Sequence, residues 1–243
     1  MSNFEIIERL RQLNIADIAS WALYDISDED IELYSHTKKA SQKAKIINKD
    51  SVVFPSRYQN DDVLANAINP NVMIIGLNAA ERDIDTIDWS SFHDNSRYSK
   101  DRNIALDLYH TNFKGAYMTD LFKRLPITDS GKINVSQLIG FLTIPYADFK
   151  QVLKITDSQT RNLMITARNS LKTLQDEIDI LRPKVIIQYH SKVVTAFDFL
   201  VKNNLIKLPK DCHLITQKHY STQGLSNQDH MDSLVAESKQ IFS

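Results

Sequence analysis

Apolar positions along this chain follow two rhythms. Four short stretches are almost wholly apolar: Val72-Met73-Ile74-Ile75-Gly76-Leu77, Ala116-Tyr117-Met118-Thr119, Val185-Ile186-Ile187-Gln188-Tyr189 and His213-Leu214-Ile215-Thr216. Their brevity and their β-branched and aromatic content predict buried strands. Elsewhere apolar residues recur every three or four positions. Leu163, Ala167, Leu171, Leu174, Ile178 and Leu181 predict a helix, which Pro183 stops just before the third strand. Val193, Val194, Phe197, Leu200 and Val201 predict another helix directly after that strand, with His190 helping to cap it. Ser226 opens a last helix whose apolar positions are Met231, Leu234, Val235 and Ile241. At the start, Ser2-Asn3-Phe4-Glu5 reads as a capping box, followed by an apolar face of Phe4, Ile7, Leu10 and Leu13.

Strands alternating with helices predict an α/β fold, with a mainly parallel sheet covered on both faces. No composition shift marks a domain boundary. Residues 1–243 are read as a single domain, with 1–60 as an N-terminal helical extension packed on it. In such sheets ligands bind outside the carboxyl ends of the strands. That rule selects Asn78-Ala79-Ala80, Asp120, the turn at His190-Ser191, and His219-Tyr220-Ser221.

Composition narrows the class. A chain of 243 residues can bury a large core without covalent staples. No apolar run approaches the roughly 18 residues of a membrane helix, and the first residues lack an apolar signal core. Cys212 is the only cysteine, which excludes an internal disulfide or a cysteine-based metal cluster and fits a reducing, cytoplasmic setting. No metal and no cofactor is expected. The net charge of −1 means that any nucleic-acid contact must come from a local patch. Lys38, Lys39, Lys43, Lys45 and Lys49 are one candidate patch; a solvated helix face is the plainer reading.

Each strand-end residue has a structural alternative. Asn78 can hold a water or a ligand, since an amide donates and accepts at once, or it can serve a turn. Asp120 can read a ligand or cap a helix that starts at Leu121. His219 is a loop histidine with or without chemistry. Phosphate loops, dinucleotide fingerprints and nucleophile elbows are absent from the sequence. Ser221 and His219 stand too close on one loop to make a good nucleophile–base pair.

Taken in order, these segments resemble the uracil-DNA glycosylase superfamily over roughly residues 71 to 242. Gly76-Leu77-Asn78 is similar to the Gly-x-Asn of the mismatch-specific and single-strand-selective branches. Phe92 follows within Trp89-Ser90-Ser91-Phe92-His93, where a base-stacking aromatic is found in that family. Tyr117-Met118-Thr119-Asp120-Leu121-Phe122-Lys123-Arg124 resembles the second strand end, and Leu181-Arg182-Pro183-Lys184-Val185 the passage into the third strand. His219-Tyr220-Ser221 resembles the family's His-Pro-Ser, with Gly224-Leu225-Ser226 after it. The resemblance implies a three-layer α/β/α domain around a four-stranded, mainly parallel sheet.

It also implies roles. Asn78 and His219 would be catalytic, positioning water and stabilising charge on the departing base. Gly76, Leu77, Phe92 and Asp120 would hold a base flipped out of DNA. Ser221, Leu225, Lys123 and Arg124 would contact the DNA, Leu225 as an apolar wedge. The chain departs from the pattern at three places: Ala79 and Tyr220 replace the motif prolines, and Asp120 stands where an asparagine reads uracil. Two readings therefore stay open. One is a DNA glycosylase acting on a damaged or deaminated base. The other is an inactive module of the same fold that binds nucleic acid, a nucleotide or a protein.

Overall fold

The computed structural model describes residues 1–37, 40–47, 50–78, 87–95, 101–125, 132–218 and 227–242. The helices are α1 (Asn3–Gln12), α2 (Asp28–His36), α3 (Ala40–Ile46), α4 (Asp61–Ala67), α5 (Arg102–Asp107), α6 (Val135–Thr143), α7 (Tyr146–Ile155), α8 (Ser158–Leu181), α9 (Ser191–Lys202) and α10 (Asn227–Phe242). The strands are β1 (Ser20–Trp21), β2 (Asn69–Asn78), β3 (Ala116–Phe122), β4 (Val185–Tyr189) and β5 (His213–Gln217). They form one sheet in the order β1-β3-β2-β4-β5. The four strands expected from the apolar runs pair in parallel.

The sheet has five strands rather than four. β1 is antiparallel to β3, pairing Ser20 with Met118 and Trp21 with Tyr117. It belongs to the first 60 residues, so that segment is more than a helical extension: it supplies the edge of the sheet. Two residues have no period to read, which is why the pattern misses them.

Side chains alternate across the sheet and build a core on each face. Met73, Ile75, Leu77, Tyr117, Leu121 and Ile186 pack with residues of α1, α4, α6, α8 and α9. Val72, Ile74, Met118, Val185, Ile187 and Tyr189 pack with residues of α5 and α10 on the opposite face. Helices thus cover both faces. The Ser2–Glu5 capping box is formed. Leu181 ends α8 because Arg182 turns left-handed at φ 49°, just before Pro183. Among the described residues no helix is long and apolar enough to cross a membrane.

Candidate functional site

β2 carries Gly76 and Asn78 toward the α5/α10 face at the carboxyl edge of the sheet. Gly76 is paired with Asp120 and Asn78 with Phe122. Asp120 lies inside β3, which continues to Phe122. It therefore caps no helix, and its side chain is directed by the strand instead. It is only 4% exposed.

Gly76, Asp120 and Phe92 come together. A Cβ built on Gly76 would overlap Asp120 Oδ1 and lie 3.4 Å from both Asp120 Cγ and Phe92 Cε1. The glycine is thus the clearance over which a carboxylate and an aromatic ring meet. Asn78 follows two residues on, on the same face by strand alternation, with its carboxamide oxygen screened from solvent. Leu77 points the other way, into the opposite core. Three of the four proposed base-binding side-chain positions therefore share one place; Leu77 contributes only its backbone there.

Phe92 is held by the chain around it. Its φ of 64° is left-handed, a costly conformation for a bulky side chain. The N-terminal segment pins this turn. Ser20 Oγ donates to Trp89 O, and Ser20 bridges to Ser90. Tyr24 Oη donates to Phe92 O at 3.4 Å. The buried His93 ring lies between Val52 O at 2.8 Å and Trp21 O at 3.1 Å. Burial pushes the His93 imidazole down to about 4. The first 60 residues thus orient the aromatic that faces Gly76, a role their sequence does not reveal.

Lys123 does not reach the surface. Its ammonium is buried on the α8 face, 2.8 Å from Glu177 Oε2 and 2.7 Å from the carbonyl oxygen of Asp120, to which it donates. Tyr117 Oη and Thr119 Oγ1 donate to the other Glu177 oxygen at 2.8 and 2.9 Å. Lys123 N donates to Ser170 Oγ at 2.8 Å. A cation satisfied this way is not available to a phosphate, so the expected DNA contact at Lys123 is corrected. Arg124 does keep its guanidinium at the surface, where it pairs with Asp17 at 2.7 Å.

The polar row continues across the sheet. One residue beyond the Ile75–Gln188 pair, Tyr189 lies level with Gly76. Its hydroxyl donates to Asp107 Oδ2 at 3.0 Å. Burial pushes the Asp107 carboxyl up to about 7, opposed by that hydrogen bond. His190 caps α9 through Nδ1, which accepts from Lys192 N at 2.9 Å, as expected. His219, Ser221 and Leu225, and Lys38, Lys39 and Lys49 of the lysine run, lie outside the described residues. Within that run, Lys43 stands over the Tyr34 ring at 4.6 Å.

The sequence reading missed Glu177, Asp107 and His93. A signal existed for Glu177. It shares a helical stripe with Ser170, Leu174 and Leu181, an acidic residue on a face that is otherwise buried. A separate apolar groove of about 700 Å³ lies between α6, α7 and α8, lined by Leu142, Ile144, Phe149, Ile165, Arg168 and Leu171. None of the sheet-edge residues lines it. Among the described residues no three His, Cys, Asp or Glu side chains are grouped to hold a metal.

The fold and site define a mixed α/β protein with a polar cluster at the carboxyl edge of a mostly parallel sheet. No known protein family matches the chain, and no curated protein matches it.

Proposed function

We propose that this chain is a DNA-glycosylase-like hydrolase whose base pocket is built on Gly76, Phe92 and Asp120. One observation carries the reading: a glycine clearance, an aromatic ring and a carboxylate, far apart in sequence, converge at the carboxyl edge of the sheet. An aromatic face binds any base by stacking, and a polar side chain beside it reads the edge. Asn78, at the end of the same strand, would position the attacking water near the sugar C1′. His219 would stabilise charge developing on the departing base. Arg124 and lysines of the N-terminal run such as Lys45 would meet phosphates.

The test is incubation with single-stranded and duplex oligonucleotides carrying uracil, hypoxanthine, xanthine, ethenocytosine or 8-oxoguanine. The expected result is alkali-labile abasic sites from at least one substrate. Asn78→Ala and His219→Ala should each slow their formation about 100-fold or more, the usual scale for losing such groups. If no substrate yields abasic sites at high protein concentration, the hydrolase reading fails.

One observation favours the second reading, a base-binding module without catalysis. Lys123, the cation nearest the site in sequence, is locked into a buried ion pair rather than offered to DNA. In that case the oligonucleotides bind but stay intact.

A further inference from the structure

We infer that the groove between α6, α7 and α8 binds an apolar monocarboxylate, an aliphatic chain ending in one acid group that Arg168 meets. The site is separate from the base pocket and stands or falls independently of it.

The groove measures about 700 Å³, within the roughly 300–1,000 Å³ of small-molecule sites. Leu142, Ile144, Ile165, Leu171 and Leu205 give it aliphatic walls. Another wall is α7. Its Tyr146, Phe149, Val152 and Leu153 follow helical spacing, yet α7 buries none of its residues. A helix of a globular protein normally buries such a stripe. Tyr146 from α7 and Ile165 from α8 both line the groove and are both exposed. Apolar surface is thus left for a ligand to cover.

Charge selects the ligand. Three charged side chains line the groove: Arg168, Lys172 and Asp176. Lys172 and Asp176 pair with each other at 2.7 Å, which leaves one positive charge, on Arg168. Its guanidinium lies 3.7 Å from the centroid of the Phe149 ring and donates to the carbonyl oxygen of Ile144. Among the described residues no carboxylate faces it, and desolvation holds its pKa below the usual arginine value. A half-buried guanidinium without an acid favours an anion, and its planar fork matches a carboxylate. One excess positive charge balances one negative charge, so a phosphate dianion fits less well. The Phe149 ring and the Ile144 carbonyl hold the guanidinium in place before a ligand arrives, which lowers the cost of binding.

The experiment is a nuclear magnetic resonance titration of the full chain with decanoate, decan-1-ol and acetate. Decanoate should bind with a dissociation constant below about 1 mM and shift the amides of residues 142–149 and 165–172. Decan-1-ol should bind about tenfold or more weaker, the scale of a lost charge-assisted hydrogen bond, and acetate should not bind at the same concentrations. Arg168→Gln should bring decanoate down to the affinity of decan-1-ol. Ile165→Glu, at an exposed position, should weaken decanoate more than decan-1-ol; this variant and the wild-type ratios carry the test even if Arg168→Gln does not fold. No decanoate shifts in the groove, equal binding of decanoate and decan-1-ol, or binding of acetate as tight as that of decanoate overturns the inference. Groove shifts that appear with rising protein concentration alone assign the surface to a second copy of the chain and overturn it as well.

Discussion

At position 76 even a methyl group would overlap the Asp120 carboxylate and crowd Phe92. Gly76→Ala must therefore push Asp120 aside. We expect it to destabilise the protein by about 1–3 kcal/mol, the usual cost of overpacking a filled site, and to weaken base binding. Urea denaturation and oligonucleotide titration would measure the two effects; unchanged stability would mean that Asp120 does not occupy the clearance. The strand-end rule made Gly76, Asn78 and Asp120 legible as candidates, since it needs only local patterns. It could not show that Phe92 meets them, because that depends on contacts from Ser20, Tyr24 and Val52. Nor could it place Lys123. A lysine is normally exposed, and only Glu177, 54 positions along the chain, makes its burial tolerable.

Between elements, β3 and α8 are joined by that buried pair. Breaking one side leaves an uncompensated charge, at a cost of roughly 3–5 kcal/mol. Lys123→Met and Glu177→Gln should each lose about that much in urea denaturation. The double variant should lose clearly less than the sum, since the introduced amide still accepts from Tyr117 and Thr119 and no buried charge remains. Additive losses would show that the two side chains do not interact. The long elements were readable from periodicity: α8, α9 and the four parallel strands follow their patterns, and Pro183 and Arg182 mark the end of α8. β1 was not, because two residues carry no rhythm, although they support the turn that holds Phe92.

Across the molecule, two buried groups give stability opposite pH slopes. His93 stays neutral when folded, with its value lowered from 6.5 to about 4. The unfolded chain binds that proton first, so its contribution is full above pH 6.5 and is lost as pH falls toward 4. Asp107 is raised from 3.8 to about 7. Its contribution is full below pH 3.8 and is lost as pH rises through 7. At about 1.4 kcal/mol per unit, these effects largely cancel between pH 4 and 6.5. Asp107→Asn removes one of them, so its stability should rise more steeply with pH than that of the wild type across this interval. Parallel urea-denaturation profiles would contradict this.

The central claim is that Gly76, Asn78, Phe92 and Asp120 form one base-binding site. The most direct test is a nuclear magnetic resonance titration of the isotope-labelled protein with the single-stranded oligonucleotides of the hydrolysis assay. The account predicts that shifts will concentrate at the amides of Gly76, Leu77, Asn78 and Asp120 and at the Phe92 ring. Shifts confined to the α6–α8 groove, or to neither place, would contradict it.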